Sequence, residues 1–254
     1  MQNFFPDPVE QNTTLYGRTA EGLPLTERSL WSGEKSLLLI TGFCPADHAL
    51  SQETETWIHD LEHAEKRGDS FLGFDLKSLK KKGKIRLISK VDPNLDKIYR
   101  NGINDSTKNI DKNAFSENIF YNRRGVDLYR NFGSDWMKLH RDPVRKFHCG
   151  PFPESESEVA ALTSLLRKDP PHAALILRHG KRGLFYPLQS TEEEVREARF
   201  LARFASVSLS PCRDAEGTAL QWLTDRGIKA LELREEEESP FYLQKLLTMG
   251  VALL

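Results

Sequence analysis

Cysteine is scarce in this sequence. Cys44, Cys149 and Cys212 are an odd number at wide spacing, which excludes a disulfide framework and favours a reducing compartment. Net charge is scarce as well. Thirty-six basic side chains against 37 acidic ones leave a formal charge of −1, so no overall field draws in nucleic acid or an anionic membrane. The most apolar early run, SLLLITGF at 36–43, falls far short of the roughly 20 residues of a bilayer span. The opening MQNFFPDPVEQNTT has neither a basic leader nor an apolar core. No secretory signal is read there, and the cytoplasm is the expected location. Internal repeats and low-complexity linkers are missing too, so the 254 residues read as one domain, 1–254.

What is present is an alternation of short apolar runs with helical patterns, which favours a sheet flanked by helices. SLLLIT (36–41), KIRLIS (84–89), AALILR (173–178) and IKALEL (228–233) read as buried strands. Ser51 is the expected cap of a helix in which Trp57, Ile58, Leu61 and Ala64 share one face. Ser190 with Glu193 reads as a capping box for TEEEVREARFLARFA, and Ser239-Pro240 as the start of a closing helix at about 240–252. The stretch from about 92 to 135, rich in Asn, Asp, Lys and Gly, reads as long loops. The basic run KSLKKKGK (77–84) reads as a solvated helix end and a turn before a strand.

Several segments, in order, resemble the carboxypeptidase A-type zinc peptidases, in particular the compact bacterial branch that includes murein-peptide amidases. They are GRTAEGLPL (17–25), LLLITGFCPAD ending at Asp47, VDPNLD (91–96), NRRGVDLYRNF (122–132), GPFPESESEV (150–159), LILRHGKRGLFYP (175–187) and GTALQWLTDRGIKALELRE (217–235). No one of these is decisive; their order over about residues 16–235 carries the resemblance. It implies an α/β, three-layer zinc-carboxypeptidase-like fold: a mixed, mainly parallel sheet of about eight strands with helices on both faces. It also implies a site at the strand ends, where α/β sheets bind ligands.

The same resemblance assigns roles. The metal positions fall on Cys44, Asp47 and His179, with zinc as the implied cofactor and His48 as a further donor nearby. Thiolate, carboxylate and imidazole are all competent zinc ligands, yet Cys44 stands where the family has His, and Asp47 where it has Glu. Asp47, one methylene shorter, reaches zinc only if the backbone shifts. Glu232 takes the general-base position; as an ordinary strand-end carboxylate it would pair with Arg234 or Arg178. Arg130 takes the position that holds a substrate's terminal carboxylate, for which a planar fork is suited. Its partner there is Tyr129 in place of Asn, and a phenol lacks the two-sided hydrogen bonding of an amide. Phe120 stands where compact members carry an oxyanion-stabilising arginine, with Arg123 and Arg124 on the same loop.

Three readings follow. The first is a divergent metallopeptidase or amidase acting on small peptides, including murein-type ones, through zinc-activated water. The second is a pseudoenzyme, a domain of the same fold that binds a peptide or protein partner without cleaving it. The third is a hydrolase with Cys44 as nucleophile, for which Cys44-Pro45 supplies no nucleophile motif. The expected partner is a small peptide or peptide-like molecule, with no nucleic acid and no membrane.

Overall fold

A single eight-stranded sheet, in the order β1-β2-β4-β3-β5-β8-β6-β7, runs through the protein. The computed structural model describes residues 12–68, 70–95, 120–140 and 148–236, together with Leu247 and Gly250. The strands are β1 (Thr13–Arg18), β2 (Pro24–Leu30), β3 (Ser36–Ile40), β4 (Lys84–Ile88), β5 (Ala173–His179), β6 (Gly183–Pro187), β7 (Leu209–Cys212) and β8 (Lys229–Glu235). The central strands β4, β3, β5 and β8 pair in parallel. The β1-β2 hairpin joins that block antiparallel through β4, and β6 joins it antiparallel through β8. The mixed, mainly parallel sheet expected from the sequence is therefore the observed one.

Period-two alternation sorts the strand residues into two cores. Leu37, Leu39, Ile85, Leu87, Leu175, Leu177 and Leu233 face one side. There they meet α1 (His48–Arg67), α2 (Leu76–Lys82) and α5 (Glu192–Phe204). Leu38, Ile40, Ile88, Ala174, Ile176 and Ala230 face the other side, against α4 (Ser157–Lys168) and α6 (Ala219–Thr224). A short helix, α3 (Trp136–His140), precedes α4 in the chain. Among the described residues, no helix is long and apolar enough to cross a membrane.

Two helix starts differ from the sequence reading. Helix α1 begins at His48, with Asp47 at its N-cap, and the Ser51 hydroxyl sits inside the first turn, donating to the Asp47 carbonyl at 3.1 Å. The Pro45–Asp47 3-10 turn feeds straight into the helix and starts it earlier than Ser51. The capping box of α5 uses Thr191 and Glu194, one residue beyond Ser190 and Glu193. Both pairs have the same spacing, and the turn geometry selects the second. The basic run forms α2 and the turn into β4 as expected. The closing helix proposed from Ser239-Pro240 lies outside the described residues, except for Leu247 and Gly250.

One buried ion pair fastens the hairpin to the parallel block. Arg86 on β4 donates from Nε and Nη2 to the two oxygens of Glu27 on β2, each at 2.8 Å, and from Nη1 to the Asp169 carbonyl at 2.7 Å. Both side chains are almost wholly buried. Without Glu27 the buried Arg86 keeps only Asp169, through its carbonyl and, at 3.4 Å, its exposed carboxylate, so Glu27→Ala should lower unfolding free energy by about 3 kcal/mol. The apolar double variant Glu27→Leu/Arg86→Met should recover most of that loss in urea titrations.

Candidate functional site

The site gathers at the carboxyl ends of β3, β5 and β8. After β3 the chain turns at Gly42, whose φ of +75° and close approach to the Ser89 carbonyl leave no room for a side chain. The Asp92 amide donates back to the Gly42 carbonyl at 2.8 Å. This turn delivers Phe43, Cys44 and Asp47 to the carboxyl end of the central strands. Asp47 is fully buried. One of its oxygens accepts from the Phe43 amide at 3.0 Å and the other from the His179 amide at 2.8 Å. Its carboxylate thus ties the β3 loop to the end of β5.

The second wall is the 122–132 loop. Asn122 folds it by accepting the Arg124 and Val126 amides, each at 2.9 Å. Asn131 pins it to the following segment, donating to the Cys149 carbonyl at 2.8 Å and accepting the Glu156 amide at 3.0 Å. Between these anchors the Asp127 carboxylate accepts the Tyr129 amide at 3.1 Å and opens the Leu128–Arg130 turn.

Tyr129 is buried, and its hydroxyl donates to Glu232 Oε2. The other Glu232 oxygen accepts from Arg234 Nε at 2.6 Å. Glu232, the position assigned to the general base, therefore has both oxygens engaged and no exposure. The guanidinium of Arg178 lies over the Tyr129 ring, 3.9 Å from its centroid. Ala174 and Ile176 share its parity and pack on the same side of the sheet, and in register Arg178 stands beside Arg234, with Ile176 beside Glu232. Asp127, Asp47, Cys44 and Glu232 all lie within its electrostatic reach. Burial disfavours the charged form of Arg178, but those four groups outweigh it and hold the guanidinium firmly protonated. Burial pushes the Asp47 and Asp127 carboxyls above their usual range, against the pull of Arg178. It also pushes the Cys44 thiol well up, with the Asp47 charge adding to the effect. The neighbouring Cys212 thiol rises to about 11, mainly through burial.

Of the residues assigned from sequence, the structure brings Cys44, Asp47, Tyr129 and Glu232 around Arg178. His179 has the opposite strand parity; its ring lies 6.3 Å from that of Phe120, and its amide serves Asp47. His48 is buried in the first turn of α1. Arg130 is buried too, donating to the Glu216 carbonyl at 3.3 Å and lying 3.8 Å from Asp127 Oδ2. Arg123 and Arg124 are exposed, and Arg124 Nε lies 3.7 Å from Glu156. Arg178, read from the sequence only as a candidate partner of Glu232, stands at the centre of the site, while Arg234 makes the pairing expected of that glutamate. The signal for Arg178 was a charged residue at the end of AALILRH, on the parity of Ala174 and Ile176.

These side chains do not fit a zinc ion. Three convergent protein ligands and an open water position are required. Here both Asp47 oxygens already serve backbone amides, and the Arg178 guanidinium stands among the assigned positions. Among the described residues, no group of three His, Cys, Asp or Glu could hold a metal ion.

The family match and the structural matches point the same way: the first to a family, the second to its fold. The sequence profile of the zinc carboxypeptidases matches residues 96–244. Human carboxypeptidase A6 is 28% identical over 158 residues, covering 52% of this chain and 36% of the human protein. The chain thus spans about a third of the length of that curated relative. The structure of thrombin-activatable fibrinolysis inhibitor superposes with a TM-score of 0.71 at 16% identity, over 95% of this chain and 67% of the other. Murein-tripeptide amidase from Escherichia coli O157 superposes with a TM-score of 0.60 at 16% identity, over 97% and 92%.

If Asp47 is a backbone tie, Asp47→Ala should destabilise the protein in excess chelator by about 2–5 kcal/mol, since two buried amides lose their acceptor. Asp47→Asn, which keeps one acceptor oxygen, should cost less. Equal stability of wild type and Asp47→Ala in chelator would contradict the structural role.

Proposed function

Since the chain belongs to the zinc carboxypeptidase family, we propose that it is a non-hydrolytic member, which holds the anionic end of a peptide in the inherited cleft without cutting it. The observation that carries this reading is the Arg178 guanidinium among Cys44, Asp47, Asp127 and Glu232. A zinc ion brought beside it would meet a fixed positive charge at short range, where low dielectric strengthens repulsion. Peptide hydrolysis in this family depends on activating water at a metal and passing its proton to a carboxylate. Both Glu232 oxygens already hold a donor, Tyr129 on one and Arg234 on the other, and a water would have to compete with them.

Binding is a different matter. Among the described residues Arg178 Nε has no hydrogen-bond partner, and the side chain as a whole is partly exposed. An unpartnered N–H in a charged fork favours an anion that can accept it, and a carboxylate matches the fork in two places. The peptide's terminal carboxylate would then be met by Arg178. Arg130, in the family's position for that task, is already engaged with Glu216 and Asp127.

The test has two arms. Untagged protein soaked in zinc and then gel-filtered with a weak competing chelator should retain far less than one zinc per chain. It should leave C-terminal and murein-type peptides uncut. A peptide with a free C-terminal carboxylate should bind more tightly than its amide, and Arg178→Gln should remove that preference, costing about tenfold or more in affinity. Stoichiometric retained zinc, with hydrolysis lost in Glu232→Gln, would instead establish a divergent metallopeptidase. Equal binding of acid and amide would reject Arg178 as the carboxylate receptor.

A further inference from the structure

Helix α1 runs for 20 residues, and its inner face, Trp57, Ile58, Leu61 and Ala64, is locked into the core. Arg28 holds the same helix from the side, through Glu55 at 3.3 Å and Glu62 at 2.7 Å. The outer face is therefore fixed toward solvent. On it, one turn apart, stand His59 and His63, both exposed. Their rings lie 4.3 Å apart between centroids, and their Nε2 atoms approach to 3.1 Å.

We propose that His59 and His63 form a surface chelate for a divalent transition-metal ion, taking copper(II) in preference to nickel(II) or zinc(II). The distance supports it. With metal–nitrogen bonds of about 2.0–2.1 Å, two imidazole nitrogens on one ion lie about 2.9 Å apart at a right angle and about 3.4 Å apart at the tetrahedral angle. The observed 3.1 Å falls inside that interval. The i,i+4 spacing on a helix already packed on the sheet supplies the chelate with little ordering cost. Asp60 Oδ1 lies 3.9 Å from His59 Nδ1. A metal ion would displace whatever proton the two Nε2 atoms share and leave the Asp60 carboxylate behind the His59 ring. Imidazole pairs follow the general affinity order in which copper(II) exceeds its neighbours.

This site is separate from the cleft. His59 is 12 residues beyond the Asp47 cap, about 18 Å along the helix at 1.5 Å per residue. Two protein ligands leave the remaining coordination positions to water or to exchangeable donors, so the ion is held reversibly.

The experiment uses the untagged full chain, titrated by calorimetry with copper(II), nickel(II) and zinc(II) chlorides, with copper also followed by electron paramagnetic resonance. The expected result is one copper per chain with nitrogen hyperfine structure, and weaker nickel and zinc binding at the same site. His59→Asn and His63→Asn should each lower copper affinity at least tenfold, with unchanged thermal melts because both side chains are exposed. Cys44→Ser should bind as wild type does. Copper bound equally well by the double histidine variant, or lost in Cys44→Ser, would overturn the proposal. So would the failure of wild type to bind copper at protein-equivalent concentrations.

Discussion

Burying a charge is costly unless another charge or a hydrogen bond compensates it, and the carboxyl end of this sheet buries several together. Asp47, Asp127, Glu232 and the guanidinium of Arg178 share one small volume behind Tyr129. The cation offsets the carboxylates, and the carboxylates keep the cation charged. The rest of the site depends on that balance. Asp47 is free to act as a backbone tie because Arg178 supplies the positive charge nearby, and Glu232 is held between Tyr129 and Arg234.

In the family to which this chain belongs, an external metal would provide such a charge. In the reading proposed above, the guanidinium of Arg178 takes that part. The departures at Cys44, Asp47 and Tyr129 are then connected. A thiol beside Arg178 and a short carboxylate that reaches two amides are all compatible with a guanidinium at the centre. So is a phenol that stacks beneath that guanidinium and bonds the glutamate. The scaffold that presents these groups is ordinary for the fold: Gly42 turns the β3 loop inward, Asn122 and Asn131 shape the opposite wall, and the sheet register fixes Arg178 and Glu232 on one face.

Much of this was legible in the chain. The strands at 36, 84, 173 and 229 announced themselves as short apolar runs, and their order with the helices between them matched one family's pattern. Helix starts were less legible by a few residues. Ser51 and Ser190 are good caps in isolation, but a proline-led turn at 45–47 and the geometry at Thr191 decided otherwise. At the site, a motif comparison drew attention to His179, whereas strand parity carries Arg178 toward Glu232. The difference of one residue matters because successive side chains point to opposite faces of a sheet.

The sequence by itself determined the family and the two-faced sheet, and it drew attention to Cys44, Asp47, Tyr129 and Glu232. Those are local properties: apolar periodicity, turn residues and ordered motifs. Only the tertiary structure decided what the changed residues do to one another. Tyr129 and Glu232 are separated by 103 positions, and Asp47 and His179 by 132. Hydrogen bonds over such separations exist because parallel strands place distant segments side by side. No local pattern records which partner will lie across the gap.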